Sequence, residues 1–147
     1  MSQNVDALAT AWRDLWDGQL HLAERIIHPD FLSHAAPLTG GAPGHSHGRD
    51  GLNSWISAIH AVFQDLRFQI EVGPIADGEF LVVRWKGEGT YRGGIPGSSP
   101  KAVGRRVFFT GTDTLRVTDG QLIEYWANAD SLYFIQQLGM EKVPPLD

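Results

Sequence analysis

The sequence contains no cysteine, which excludes disulfides, thiolate nucleophiles and thiolate metal sites together. It has no apolar run near the roughly eighteen residues that a membrane-spanning helix requires. Its first residues, MSQNVDALATAW, carry neither a basic start nor an apolar stretch of the kind that directs secretion. These absences fit a cytoplasmic location and no membrane partner. Positive charge is scarce as well: 12 Lys and Arg stand against 17 Asp and Glu, for a formal net charge of −5, and Arg105–Arg106 is the single adjacent basic pair. A nucleic-acid partner would demand a basic face, so none is expected. Neither an internal repeat nor a low-complexity segment is visible.

What is present is ordinary for a globular chain. The 147 residues are 42% hydrophobic and 20% charged, and residues 1–147 read as one domain, large enough to close a core around a small cavity. Val5, Leu8, Ala9, Trp12, Leu15 and Trp16 recur at the spacing of one helical face, with Gly18 as a stop. A short helix over 20–27 ends where His28 precedes Pro29, since a residue before proline is pushed out of the helical region. Residues 31–35 are extended. The stretch PLTGGAPGHSHG (37–48) reads as an exposed loop able to lie over a pocket. A third helix follows over 50–64, with Leu52, Trp55, Ile56, Ile59, Val62 and Phe63 on one side.

Beyond it the period changes to two. Leu66, Phe68, Ile70 and Val72 alternate with polar residues as in a half-buried strand. Further strands are expected over 79–91, with Leu81, Val83, Trp85 and Tyr91 in one phase, over 105–117, and over 121–127. Turns lie at Asp77–Gly78 and Thr118–Gly120, and a wide Gly/Pro-rich loop over 92–104. Gly87 and Gly89 mark a bend in the sheet. A last helix is opened by Asp130 and closed by Gly139; Pro144 and Pro145 mark a loose tail. Three helices, an antiparallel meander and a short C-terminal helix make an α+β layout. The sheet buries its inner face by curling over the helices into a cone, with a cavity at the open end. Its exposed face is expected to pair with a second copy as a homodimer.

Several residues carry possible chemistry. Asp130 ends a strand and begins a helix, where aspartate is a favoured cap; the sharper reading makes it a general base, its carboxyl raised by an apolar enclosure of Trp12, Trp16 and Trp126. Arg116 lies one strand back and is either a donor or a surface residue; if it faces inward, Thr112 and Thr114 share its side while Asp113 and Leu115 point away. His34 is a donor, a proton shuttle or a rim residue. His45 and His47 resemble a metal pair, but the glycine-rich loop offers no third ligand, so no metal is expected. Phe31, Trp55, Phe63, Trp85 and Tyr91 complete an aromatic set that is either core or the wall of a pocket for a hydrophobic, polycyclic ligand.

Four stretches carry a resemblance: HPDFLSH (28–34), GRDGL (48–52), GEGTYRGGIPGSSPKAVGRRV (87–107) and GTDTLRVTDGQLIEYWANAD (111–130) with its closing QQLG (136–139). In this order and spacing the chain resembles the SnoaL-like polyketide cyclases, a group within the nuclear-transport-factor-two-like (NTF2-like) fold. The resemblance implies a cone-shaped α+β barrel. It also implies a small oligomeric enzyme that closes a ring by intramolecular aldol condensation without metal or cofactor, as a lyase or isomerase. On that basis Asp130 is the base, and Arg116 and His34 are donors to the enolate oxygen. Ala35 and Ala36 stand where the family often has a polar residue and a proline after the histidine. The group is mixed in function, so two alternatives accompany the cyclase: a binding protein without turnover, and an epoxide hydrolase, which needs a second inward carboxylate from Asp113 or Glu124.

Overall fold

A computed structural model describes residues 2–140; the expected loose tail at Pro144 and Pro145 lies outside the described residues. The N-terminal helix, α1 (Ser2–Trp16), buries Leu8, Ala9, Trp12, Leu15 and Trp16, the face that the spacing marks, and Gly18 follows at a left-handed φ of 111°. A 3-10 turn (Leu20–Leu22) and α2 (Ala23–Ile26) lead into β1 (Ile27–Ala35). Then come β2 (Gly44–His47), α3 (Gly48–Ala61), β3 (Arg67–Asp77), β4 (Phe80–Thr90), β5 (Arg106–Thr118), β6 (Gln121–Ala129) and α4 (Ser131–Gln137). Helix α3 stops three residues short of the expected end because Phe63 is drawn into a bridge with Tyr91. Among the described residues no helix is long and apolar enough to cross a membrane.

The six strands form one open sheet in the order β2-β1-β6-β5-β4-β3. The α+β architecture of an NTF2-like fold is as the sequence indicates, with one change of detail: β1 pairs with β6 in parallel, so the sheet is mixed. Strand β1 is longer than expected, and β2 is a strand inside the segment read as loop. Its four residues are mostly exposed and show no apolar alternation, so pairing with β1 alone, not periodicity, makes it a strand.

The β5–β6 turn is as tight as its sequence indicates, with Asp119 at φ 49° and Gly120 at 76°, the left-handed pair of a two-residue hairpin. In β3 the register shifts between Ile70 and Val72 and again before Ile75, which leaves Val72 half exposed and ends the simple alternation there. Gly87 and Gly89 serve close approach: a side chain on Gly87 would meet the rings of Phe68 and Phe109, and one on Gly89 that of Phe63.

Two apolar clusters sit against the sheet's inner face. The larger joins α1, α2 and α3 to the sheet through Leu15, Ile26, Phe31, Leu52, Ile56 and Leu115. The second gathers Phe63, Tyr91, Phe109, Phe134 and Leu138. Seven residues of α4 would not hold as an isolated helix; burying Phe134 at about 1.5–3 kcal/mol fixes it to the sheet.

Candidate active site

The site follows from the phase of β5. Val107, Phe109, Gly111, Asp113 and Leu115 face the helices and are buried, whereas Thr112, Thr114 and Arg116 alternate onto the outer face. Asp113 thus carries a carboxylate into an otherwise apolar phase, where it is 4% exposed. The Trp12 Nε1–H of α1 donates to its Oδ2 at 2.9 Å, and the Tyr125 hydroxyl of β6 donates to Oδ1 at 3.3 Å.

Burial pushes the Asp113 carboxyl up to about 6, against the opposing pull of Trp12, Trp85 and Tyr125. Desolvation outweighs the donors because it acts on the whole carboxylate, and 3.3 Å is long for a bond between oxygens. Trp85 favours the anion from nearby without making a hydrogen bond of good geometry, and its Nε1–H is buried with no acceptor. The same burial, reinforced by the neighbouring Asp113 charge, holds the Tyr125 hydroxyl well above its ordinary value, so it remains a donor at neutral pH.

Asp113 borders a cavity of about 320 Å³ between the helices and the sheet. Its walls are Trp12 and Trp16 from α1, Trp55 and Ile59 from α3, Phe68 and Ile70 from β3, Val83 and Trp85 from β4, Phe109 from β5, and Tyr125 and Ala127 from β6. The rings lock one another by edge contacts: Trp16 meets Trp55 at 5.3 Å and 83°, and Trp85 meets Phe109 at 5.7 Å and 85°. Leu38, Gly40 and Gly41 of the 36–43 connection also line the cavity. Among the lining residues Asp113 is the one carboxylate and Arg13 the one cation, its guanidinium anchored to Asp14 at 2.9 Å. The cavity is apolar with few polar groups, and its volume is at the small end of the range of about 300–1,000 Å³ for small-molecule pockets.

The residues singled out from the sequence divide between the two faces of the sheet. Asp130 caps α4 and stands outside the expected enclosure: its Oδ1 accepts the Tyr133 N–H at 3.1 Å, it is exposed, and Ala129 and Ser131 border the cavity without it. Arg116 and His34 lie on the outer face. There His34 Nε2 meets Glu124 at 2.6 Å, Arg116 Nε donates to Glu124 at 3.0 Å, and Arg116 also pairs with Glu79. The His34 hydrogen bond, more than Arg116, holds the Glu124 carboxyl below its usual range.

Trp126 belongs to that outer network, stacked on His34 at 5.2 Å, and is not part of the wall. Of the other aromatic residues, Trp12, Trp16, Trp55 and Trp85 line the cavity. Phe31 is packed behind Tyr125, and Phe63 and Tyr91 belong to the second cluster. His45 meets His34 at 3.1 Å between Nδ1 atoms, and among the described residues no set of three His, Asp or Glu side chains could hold a metal ion. Glu124, on the outer face, supplies no second carboxylate to the cavity. From the sequence Asp113 is offered only as a second carboxylate for epoxide opening, and Tyr125 is not singled out. The available signal was a carboxylate in the apolar phase of Val107, Phe109, Gly111 and Leu115.

A family model described as SnoaL-like polyketide cyclase matches residues 6–138. No curated protein sequence matches the chain. Among solved structures, the chain is similar to IdmH of Streptomyces antibioticus, a candidate polyketide cyclase, at 25% identity and a TM-score of 0.77, covering 91% of this chain and 97% of that one. It also resembles AclR of Streptomyces galilaeus, a candidate hydroxylase, at 20% identity and a TM-score of 0.80, over 99% and 90% of the two chains. A third, a candidate polyketide cyclase of Acidithiobacillus ferrooxidans, is 23% identical with a TM-score of 0.78 over 92% and 94%. The last two likenesses establish the fold alone.

Proposed function

The chain belongs to the SnoaL-like polyketide cyclase family, and from that membership and the chemistry of its cavity we propose a cofactor-independent cyclase, or related lyase or isomerase. It would act on a mostly apolar, carbonyl-bearing small molecule, with Asp113 as general base. The observation that carries this reading is a single carboxylate, buried to a pKa of about 6, on the wall of an aromatic cavity. Such a group is largely ionised at pH 7 and is a stronger base than a solvated carboxylate, close to the optimum for proton transfer at that pH.

In the proposed reaction, Asp113 takes a proton from the carbon beside a carbonyl. The C–H bond breaks, an O–H bond forms on Asp113, and the electron pair moves onto the carbonyl oxygen as an enolate. The enolate carbon then attacks a second carbonyl of the same molecule, a C–C bond closes the ring, and the new alkoxide recovers the proton from Asp113. Atoms and charge balance without a cofactor. The Trp12 N–H and Tyr125 hydroxyl hold the carboxylate in one orientation, and the ring cage keeps water from quenching the enolate. Epoxide opening is less well supported, because Asp113 is the sole carboxylate among the lining residues.

The first half of this chemistry can be tested on 2-tetralone, a fused-ring ketone with acidic α-protons, by mass spectrometry of its deuterium uptake in D2O. Wild-type protein should accelerate the exchange, and Asp113→Asn should lower the rate by at least about 100-fold. Uptake at the buffer rate would refute the base; if 2-tetralone still bound, the binding-protein reading would replace it.

We assign the outer sheet face to a second copy of the chain. Val72, Ile75, Phe80 and Phe108 expose apolar surface there or along the β3 edge. Light scattering at micromolar concentration should give twice the 16.2 kDa chain mass; a monomer would exclude the pairing.

A further inference from the structure

A base alone does not make an enolate: the oxygen that receives the negative charge needs a hydrogen-bond donor. The residues that the sequence offered for this, Arg116 and His34, are on the far side of the sheet. Within the cavity wall two indole N–H groups, those of Trp16 and Trp85, are buried without a partner, and of the two it is Trp85 that acts on the base. The Nε1–H of Trp85 is buried and has no partner, yet it lies close enough to Asp113 to favour its anion. A buried N–H left unbonded costs about 1–3 kcal/mol, and at a cavity wall an acceptor brought by a ligand can meet that need.

The backbone is adapted to put the indole there. Trp85 on β4 is the register partner of Gly111 on β5, and the ring lies across the position that a side chain at 111 would fill. A Cβ on Gly111 would stand 2.4 Å from Trp85 Cζ2 and 2.8 Å from Cε2, the atom bonded to Nε1. Gly111 is two residues before Asp113 on the same inward phase, so the space left by the missing side chain delivers the indole to the neighbourhood of the carboxylate. Phe68 and Phe109 hold it in place by edge contacts at 5.5 and 5.7 Å.

We propose that Trp85 is the donor that receives the substrate's carbonyl oxygen and holds it as the enolate forms. This rests on the reading of Asp113 as the base. Before proton transfer the N–H stabilises the Asp113 anion; once Asp113 has taken the proton, the nearest negative charge is the enolate oxygen, and the same N–H serves it. One donor thus follows the charge across the step. The ligand class is a planar fused-ring compound with an oxygen at one edge, an enolisable ketone or its enol.

The probes are 2-naphthol, which has the shape of the enol of 2-tetralone, and naphthalene, which lacks the oxygen. Calorimetric titration of the wild-type protein should show 2-naphthol bound at least about tenfold more tightly, a ratio equivalent to about 1.4 kcal/mol. Trp85→Phe should abolish that preference while leaving naphthalene affinity within about twofold. In wild-type protein, the Trp85 Nε1–H proton resonance, assigned by triple-resonance NMR, should move downfield with 2-naphthol and stay in place with naphthalene. That readout decides even if the variant does not fold. An unmoved resonance, no preference in wild type, or a preference retained in Trp85→Phe overturns the proposal. The fate of the base is read separately: if wild-type protein exchanges 2-tetralone while the resonance stays put, Trp85 is wrong and Asp113 stands. If the resonance moves but no exchange occurs, the donor contact stands and the base does not.

Discussion

The Trp12 indole N–H donates to Asp113 Oδ2 at 2.9 Å, a bond between α1 and β5 across 101 residues of sequence. It fixes the first helix against the middle of the sheet and orients the carboxylate at the same time. Removing the donor should therefore act twice. In Trp12→Phe, burial no longer meets this opposing bond, and the Asp113 carboxyl should rise above about 6. The check is the low-pH limb of 2-tetralone exchange, whose midpoint should move upward in the variant; an unchanged midpoint would show that Trp12 only packs.

Asp113 should cost the fold stability while it enables chemistry. Its carboxyl is raised in the folded state, so the folded protein holds the proton more tightly than the unfolded chain. Its contribution is therefore most favourable below the unfolded value of 3.8 and is lost as pH rises through about 6. The difference is worth about 3 kcal/mol. Asp113→Asn, though inactive, should be more stable than wild type in urea at pH 8, and the advantage should shrink toward pH 4. An equal gap at both pH values would mean that ionisation is not its cause.

Asp130 gives the contrasting case. As the cap of α4, its replacement by Ala should lower stability by about 1 kcal/mol, seen as a lower urea midpoint, and leave 2-tetralone exchange near the wild-type rate. Asp130→Asn, which keeps a capping oxygen, should change neither. Loss of exchange in a folded Asp130→Asn protein would return the base to that position.

Gly111→Ala should be poorly tolerated, because the added methyl meets Trp85 at 2.4 Å and the Asn128 carbonyl at 2.7 Å. A loss of about 1–3 kcal/mol on urea unfolding is expected from overpacking. Gly104→Ala is not a fair control, since its φ of 88° strains any side chain; Gly44→Ala, with open space and no such φ, is the proper one and should be neutral.

The elements were largely legible in the sequence because their periodicities are strong: α1, α3, β4, β5 and the Asp119–Gly120 turn lie within a few residues of expectation. What periodicity cannot give is which strand lies beside which. The parallel β1–β6 pairing and the short β2 follow from contacts between residues far apart in sequence. Which face each candidate residue takes was hidden for a related reason. The phase of β5 was left open at Arg116, and Asp113, Thr114 and Arg116 exchange faces with a one-residue change of phase. The family resemblance points to the conspicuous Asp130, while the buried carboxylate, Asp113, sits in an apolar alternation that it interrupts. The sequence groups Trp12 and Trp16 with Trp126, and leaves Trp55 and Trp85 as core or wall; only the register of β6 separates Trp126 from the four that line the cavity.

The central claim is that the cavity holds a carboxylate tuned by burial to act as a base near neutrality. It is tested most directly by a 13C NMR titration of the Asp113 carboxyl carbon in the folded protein, with Asp113→Asn to assign the resonance. A midpoint near 6 is expected. A midpoint near 3.8 would mean that water and the surrounding donors solvate the anion fully, and it would contradict the account.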